Sequence, residues 1–219
     1  MRQPPRKNHE HHNAHHHPTE CPIRRHPVML LCTENADGST NISPASSYWA
    51  LDQMIVLGLL ADGHTAANLR RRPGLTVNFP HPSQWQHIEA IGDTTGLSPV
   101  PEAKTKRYVH EKDKFRRIGL TPQASDLVSP PRIKECALQF EAEVRQATRG
   151  TGDFYYMVEA EVLRVHASPE IVVPGTNYIN PNTWQPTIYS FRHYFGLGTE
   201  HGFRPTSDTA SLLQDQLPS

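Results

Sequence analysis

The apolar segments of this chain are short, and each ends at residues that favour turns. The longest uninterrupted one, residues 54–61, has eight residues, whereas a helix that crosses a membrane needs roughly 20. The sequence therefore predicts no membrane span. Short apolar runs bounded by Gly, Pro, Asp and Asn are typical of β-strands, so a strand-rich domain is expected.

Several of these runs can be placed as strands. Asp37-Gly38 is a strong hairpin signal between two of them, and Gly150 and Gly152 mark a turn between two longer ones. The run over residues 53–61 is nearly all apolar, which is typical of a strand buried on both faces. We expect strands over residues 27–34, 39–46, 53–61, 75–79, 133–148 and 153–166.

Helices are predicted in two places. Thr65 begins a short helix whose first turn its hydroxyl caps, and Pro73-Gly74 ends it. Residues 83–95 carry apolar residues at three-residue spacing, as in a helix packed on a sheet. The charged residues 98–118 are expected to form an excursion at the surface. Because short hairpin links outnumber helical crossovers, we expect a mainly β fold, an antiparallel barrel of about six or seven strands with two or three small peripheral helices.

Charge and cysteine usage exclude several classes of protein. Lys+Arg and Asp+Glu both number 22, so the basic excess of a nucleic-acid binder is missing. The N-terminus lacks the apolar region of a secretion signal. Cys21, Cys32 and Cys136 form no CxxC pair, which argues against a disulfide framework or a thiolate zinc site. These features predict a cytoplasmic protein with neither a nucleic-acid nor a membrane partner.

The two ends of the chain differ in composition from the middle. Residues 1–22 are rich in His and Pro and have little to bury, so we expect a disordered arm. Six imidazoles in this arm could bind a metal, although a solvated tract is the favoured interpretation. Residues 205–219 are polar and are expected to form a flexible tail. Residues 23–204 are then the one folded domain.

Most familiar catalytic motifs are missing. The sequence contains no Walker A loop, HExxH, GxSxG or acidic EF-hand loop. Residues 196–202 resemble a dinucleotide-binding fingerprint, but the last glycine is one position late and no βαβ unit surrounds it. These absences exclude the classes of enzyme that depend on such motifs, and no metal ligand is predicted.

Two polar elements point instead to a bound cofactor. Residues 41–49 place small hydroxyl side chains beside two aromatics, where they would face a planar polar ligand or satisfy only their own backbone. The segment after residue 61 leads into the helix start at Thr65, where free N–H groups favour an anion. Asn68 and the arginines at 70–72 lie nearby, although a simple N-cap and a solvated face explain them too. Together the two elements suggest a phosphorylated planar cofactor.

The order and spacing of several short motifs resemble one family. These motifs cover residues 27–33, 37–38, 41–47, 65–69, 77–78, 112–115, 119–121, 130–136, 180–186 and 195–198. Over residues 26–204 the chain resembles the flavin reductase-like proteins with the FMN-binding split-barrel fold, including flavoredoxin-type members. The resemblance implies a homodimer that binds FMN near the subunit interface. It also implies NADH or NADPH as co-substrate and an oxygenase or electron-transfer protein as partner.

The resemblance also assigns residues to the cofactor. The side chains implied at the flavin, its ribityl chain and its phosphate are Asn41, Ser43, Ser46, Ser47, Tyr48, His64, Thr65, Asn68, Asn78 and Lys114. Lys114 could approach the flavin from the charged segment, although an exposed charge run is the favoured interpretation. His64 stands where relatives often carry Lys, so FMN affinity is expected to depend on pH as the imidazole loses its charge.

One position departs from the pattern of the NADH-using relatives. They carry Gly-Asp-His before the last long strand, whereas this chain has Gly152-Asp153-Phe154. The leading hypothesis is an enzyme that passes hydride from NAD(P)H to flavin N5 and electrons onward to an acceptor. The alternatives are a non-enzymatic FMN electron carrier of flavoredoxin type and a split-barrel binding module without flavin.

Overall fold

The computed structural model describes residues 26–202. Its strands are β1 (His26–Pro27), β2 (Met29–Glu34), β3 (Thr40–Ala45), β4 (Tyr48–Leu51), β5 (Met54–Leu60), β6 (Gly74–Phe79), β7 (Thr94–Thr95), β8 (Val109–His110), β9 (Pro122–Gln123), β10 (Arg132–Ile133), β11 (Leu138–Arg149), β12 (Tyr155–Ala167), β13 (Ile188–Ser190) and β14 (His193–Phe195). Its helices are α1 (His64–Leu69), α2 (Trp85–Gly92) and α3 (Lys114–Ile118), with 3-10 turns at Pro82–Gln84, Glu102–Lys104 and Pro169–Ile171.

One antiparallel sheet of seven strands forms the body of the fold. Its strand order is β3-β2-β6-β11-β12-β5-β4. The two edge strands, β3 and β4, are consecutive in the chain, and only Ser46 and Ser47 separate them. The backbone N–H of Gly58 on β5 donates to the Ser47 carbonyl at 2.8 Å, which holds this corner to the sheet. The expectation of a mainly β, antiparallel fold with two or three small helices is confirmed, with α1, α2 and α3 as the helices.

Both faces of β2 are buried. One face lies in the core inside the curled sheet, and α2 and α3 cover the other face. Met29 and Leu31 join the core inside the curled sheet. Leu30 and Cys32 point to the opposite face, where they pack in a second cluster with Ile residues of α2 and α3. Replacing the fully buried Leu31 by Ala would cost about 2–5 kcal/mol. This double packing fixes α2 and α3 over the β2–β3 hairpin.

Several observed elements differ from the sequence predictions in their boundaries or their burial. The strand predicted over residues 133–148 is interrupted. Ile133 belongs to β10 and pairs with Pro122 of β9, and a turn closed by the Cys136 N–H on the Ile133 carbonyl precedes β11. Strand β5 is not buried on both faces, since Leu60 is exposed. The segment 98–118 is not simply a surface excursion, because it contains α3 and the buried Lys114.

A buried acid that sequence reasoning missed holds the loop before β10. Glu141 on β11 is 0% exposed, and its carboxylate accepts the backbone N–H groups of residues 126–128 at 2.6–3.2 Å. His166 Nε2 lies 2.6 Å away and Arg132 Nε 3.7 Å away. Burial raises the pKa of this carboxyl, but the backbone N–H groups and His166 outweigh burial and leave it below the ordinary value. The charged carboxylate of Glu141 therefore holds this loop in place through its hydrogen bonds.

The N-terminal arm and the C-terminal tail predicted from composition lie outside the described residues. Within residues 26–202, none of the helices has the length and apolar character needed to cross a membrane.

Candidate functional site: a cavity beside the Ser46–Ser47 corner

A cavity of about 820 Å³ opens beside the corner that joins β3 to β4. The floor comes from β3, this corner, the start of α1 and Lys114 of α3. The roof comes from α2, from residues 93–96 and 104–108, and from the β13–β14 hairpin. This volume falls in the upper part of the range of roughly 300–1,000 Å³ that is usual for small-molecule sites.

The cavity brings together seven of the ten side chains assigned from the sequence. Those that line it are Asn41, Ser43, Ser46, Ser47, His64, Thr65 and Lys114. Tyr48, Asn68 and Asn78 are not part of its wall. The expectation that Asn41–Ser47 and the helix start converge on one space therefore agrees with the geometry.

The three residues outside the wall have structural partners instead. Tyr48 points into the core, where its ring packs against Phe79 at 6.4 Å between centroids. Asn78 is fully buried on the far face of β6, where it donates to the Leu30 carbonyl at 3.0 Å and accepts the Ile133 N–H at 2.8 Å. These hydrogen bonds use its amide within the protein, and the structure places Asn78 away from the cavity.

Asn68 does not line the cavity, but it bonds Asn35, which contacts His64 of the cavity wall. Its amide donates to Asn35 Oδ1 at 2.9 Å and to Thr33 Oγ1 at 3.2 Å. Asn35 Oδ1 in turn lies 2.7 Å from His64 Nε2. Asn68 therefore fixes the acceptor that orients the imidazole of His64, and it does not face the cavity itself.

The hydroxyl of Thr65 does not cap α1, contrary to the sequence prediction. Gly63 occupies the N-cap position, and no side chain bonds the first turn. Thr65 is second in the helix, and its Oγ1 accepts from Asn41 Nδ2 at 3.2 Å. The Asn41 amide also reaches Thr33 Oγ1 at 3.4 Å. The free hydrogen of the Thr65 hydroxyl remains available as a donor toward the cavity.

Among the described residues, nothing donates a hydrogen bond to two acceptor atoms in this wall. Asn41 is 2% exposed, and its Oδ1 has no partner. His64 Nε2 must carry the ring hydrogen, because the neighbouring Asn35 Oδ1 only accepts, so Nδ1 is a bare acceptor, and it too lacks a partner. Unsatisfied buried acceptors are costly, and both lie in residues that line the cavity. The wall is thus suited to a ligand that brings donors.

His64 is not the cation that its position suggested. Burial lowers the pKa of the imidazole below 6.5, and the positive charge of Lys114 and His110 lowers it further. The ring is therefore neutral at pH 7. Titration of His64 lies below neutrality, so it supplies little of any pH dependence between pH 7 and 8.

Lys114 supplies the buried positive charge. Its side chain is 3% exposed, and its Nζ donates to the Ile42 carbonyl at 2.8 Å. Within residues 26–202 it makes no ion pair with a carboxylate. Burial lowers the pKa of the ammonium group to about 8, although Glu111 and Cys32 act in the opposite direction. A buried cation that forms no ion pair within the described residues favours binding of an anion at the cavity floor.

Gly96 lets the roof approach this wall closely. A Cβ atom at this position would lie 2.6 Å from His64 Cδ2 and 3.2 Å from Asn41 Oδ1. Any side chain here would force the His64 ring and the Asn41 amide to move. The segment around Gly96 therefore closes over the start of α1 only because it carries a glycine.

Aromatic residues in the roof were not assigned to the site from the sequence. Tyr194 packs between Tyr189 and Trp85, with centroids 5.2 and 5.9 Å away, and its hydroxyl donates to Glu89 on α2. The sequence does contain an aromatic run over residues 189–195, but no local pattern indicates that it covers the cavity. The roof forms because β13 pairs with β1, far away in sequence.

The comparisons with known proteins agree with this fold and with the motifs. The model of the flavin reductase-like domain family matches residues 24–198. The chain belongs to the flavin reductase-like family. Protein YdfE of Bacillus subtilis (strain 168), whose name describes it as uncharacterized, is 43% identical over 184 residues, which cover 83% of this chain and 88% of YdfE.

Solved structures with the same fold include three from other bacteria. A flavin reductase with a split barrel domain from Shewanella frigidimarina has TM-score 0.68 and 19% identity, covering 84% of this chain and 87% of its own. Flavoredoxin of Desulfovibrio vulgaris has TM-score 0.71 and 18% identity, covering 90% and 100%. Nitrilotriacetate monooxygenase component B from Bacillus cereus has TM-score 0.67 and 18% identity, covering 87% and 98%. At such identities the likeness shows the split-barrel fold.

Proposed function

We propose that this flavin reductase-like protein binds FMN in the cavity and passes hydride from NADH or NADPH to it. Electrons then go onward to an acceptor. The observation that carries the proposal is the buried ammonium group of Lys114, which has no carboxylate partner in the described part of the chain and lies at the floor of the cavity. A phosphate group is the anion that FMN would bring to it.

The residues present fit FMN in three respects. Lys114 and the Thr65 hydroxyl offer a charge and a donor to a phosphate. Asn41 Oδ1 and His64 Nδ1 lack donors, and the hydroxyl groups of a ribityl chain are donors. The small side chains of Ser43, Ser46 and Ser47 leave the backbone accessible to a planar ring. The positive charge of Lys114 and the unsatisfied acceptors of Asn41 and His64 both favour a ligand that carries an anionic group and hydroxyl donors, as FMN does.

When bound, the isoalloxazine ring supplies the redox chemistry by accepting hydride at N5. The side chains of this protein then have other tasks. Lys114 neutralises the anionic group, and Asn41, held by Thr33 and Thr65, fixes the position of the ribityl chain. The roof excludes water from the space between the two substrates. The protein contributes binding and orientation, and no side-chain nucleophile or general base is required.

The proposed assembly is a homodimer with the cavity close to its interface. The outer face of β4, β5 and β12 exposes Trp49, Leu51, Leu60 and Met157. Leu60 also lines the cavity, so a partner on this face would lie against the site. Exposed apolar patches of this kind favour association. We further propose a reducing cytoplasm, where the two described cysteines, Cys32 and Cys136, remain free.

The proposed onward acceptor is an oxygenase or an electron-transfer protein. One neighbour of the same fold is named as a component of a monooxygenase, and another is a flavoredoxin. The second candidate function, a flavoredoxin-type electron carrier that does not use NAD(P)H, is favoured by Phe154. This side chain is 65% exposed beside the β11–β12 turn, and relatives that use NADH carry a His there.

Rapid mixing under anaerobic conditions separates the two functions. FMN-loaded protein is mixed with NADH or NADPH, and the flavin absorption at about 450 nm is followed. Bleaching by either nucleotide supports the reductase. Bleaching by dithionite but by neither nucleotide supports the electron carrier. Failure to take up FMN would contradict both.

A further inference from the structure

The cationic side chains in the cavity wall are not all neutralised. Lys104 and Arg107 each lie 3.0 Å from a carboxylate, of Asp62 and Asp93 respectively. Within residues 26–202, Lys114 and Arg192 are the cations of this wall that have no acidic partner. Lys114 is assigned above to the phosphate of FMN. Arg192 therefore provides a second site for negative charge.

Arg192 is held at the mouth of the cavity by an unusual turn. It follows Phe191 in the two-residue loop of the β13–β14 hairpin, where Ser190 pairs with His193. Both loop residues have positive φ, 48° for Phe191 and 68° for Arg192. Such turns strongly prefer Asn and Gly, and bulky residues adopt this conformation at a cost. The surrounding packing must therefore hold the loop in place.

That packing comes from the aromatic roof. Tyr194 on β14 contacts both Trp85 on α2 and Tyr189 on β13, and its hydroxyl donates to Glu89. The hairpin is thus tied to α2, whose Ile88 and Ile91 are buried in the core. Arg192 is exposed and lines the cavity from this fixed hairpin, beside rings suited to stacking on a planar group. The mouth offers an aromatic wall and a free guanidinium group together.

We propose that Arg192 is the recognition residue for the phosphates of the reduced nicotinamide dinucleotide. This rests on the proposed function. The guanidinium group binds the pyrophosphate, because its fork of N–H donors can bond two phosphate oxygens at once. The aromatic wall formed by Tyr189, Tyr194 and Trp85 contacts a ring of the same molecule. Arg192 takes no part in the transfer of hydride.

The test compares a charged with a neutral hydride donor. FMN-loaded wild type, Arg192→Gln and Arg192→Lys are assayed with NADH, NADPH and 1-benzyl-1,4-dihydronicotinamide, which carries no phosphate. We expect Arg192→Gln to lower kcat/KM for NADH and NADPH about 10- to 100-fold, mainly through KM, because a charge-assisted hydrogen bond is lost. The neutral donor should react unchanged, FMN affinity should be unchanged, and Arg192→Lys should recover part of the loss.

Arg116→Gln is the matched control. Arg116 is an exposed arginine of α3 that does not line this cavity, and its replacement should alter none of the rates. Equal slowing of all donors by Arg192→Gln, or no slowing of any, would overturn the inference while the proposed function stands. Wild-type protein that oxidises the neutral donor but not NADH or NADPH would also overturn it. Failure of the wild type to bind FMN, or to react with any donor, would instead overturn the proposed function and this inference with it.

Discussion

Replacing Lys114 by methionine would separate the cost of burying a charge from the benefit of binding an anion. Its pKa is lowered from 10.5 to about 8 by burial, which corresponds to about 3 kcal/mol of unfavourable free energy at pH 7. Methionine has a similar volume and no charge, but it leaves the Ile42 carbonyl without its donor, at a cost of about 1 kcal/mol. We therefore expect the flavin-free variant to be about 2 kcal/mol more stable than wild type at pH 7.

The same shift predicts how stability changes with pH. Because the folded protein holds this proton less tightly than the unfolded chain, the free energy of unfolding of the wild type should rise between about pH 8 and 10.5. The Lys114→Met variant should lack this rise. Urea unfolding of flavin-free protein, followed by tryptophan fluorescence at pH 7 and pH 10, measures both effects. Lys112→Met is the control, since Lys112 is exposed and pairs with Asp37 at the surface, and it should change stability by less than about 0.5 kcal/mol.

Binding should change in the opposite direction to stability. Lys114→Met should weaken FMN about 10- to 100-fold at pH 7, because the phosphate loses a charge-assisted hydrogen bond. Wild-type affinity for FMN should fall as the pH rises above about 8, where the ammonium group loses its proton. A variant that is less stable than wild type and binds FMN equally well would refute this reasoning.

Three further changes test the wall of the cavity and the fold around it. Gly96→Ala should weaken FMN at least about tenfold, because the new Cβ would lie 2.6 Å from the His64 ring. Gly198→Ala is the control, because Gly198 does not line the cavity and its Cβ would meet nothing within 4 Å, and it should bind FMN normally in the same titration. Thr65→Ala should weaken FMN by about 1–2 kcal/mol, and an equal loss of riboflavin affinity in calorimetry would argue against a phosphate contact. Glu141→Gln should lower the free energy of unfolding by about 3 kcal/mol. The carboxyl's lowered pKa means that its stabilisation is present above about pH 4.5 and is lost as the pH falls through the folded value, so a variant as stable as wild type in urea at pH 7 would contradict this role.

Turns and the short strands next to them could be predicted from the sequence, because the residues of the turn determine their geometry. Asp37-Gly38 specifies the β2–β3 hairpin through its turn geometry, and the pairing of Thr33 with Asn41 follows from that turn. Ser46, Ser47 and the start of α1 line the same cavity, because β4, which follows the two serines, pairs with β5, which leads into α1. The strand predicted from residue 133 was wrong because Ile133 pairs across to Pro122, a contact that periodicity does not reveal.

Burial of charged residues was the part that the sequence could not predict. Lys114 resembles its charged neighbours in the sequence, but packing of α3 on β3 places its ammonium group on the Ile42 carbonyl, 72 positions away. Glu141 alternates with apolar residues on β11, and only the N–H groups of residues 126–128 explain its burial. Tyr194 reaches Glu89 across 105 positions. Such contacts depend on tertiary structure, and no local pattern records them.

The most direct test of the account is titration of the purified protein with FMN at pH 7, followed by its absorption at about 450 nm and by calorimetry. The account predicts saturable uptake of FMN, with weaker binding of riboflavin because it brings no anion to Lys114. Absence of FMN uptake, with the cavity intact and the protein folded, would contradict the central claim that this space holds a flavin.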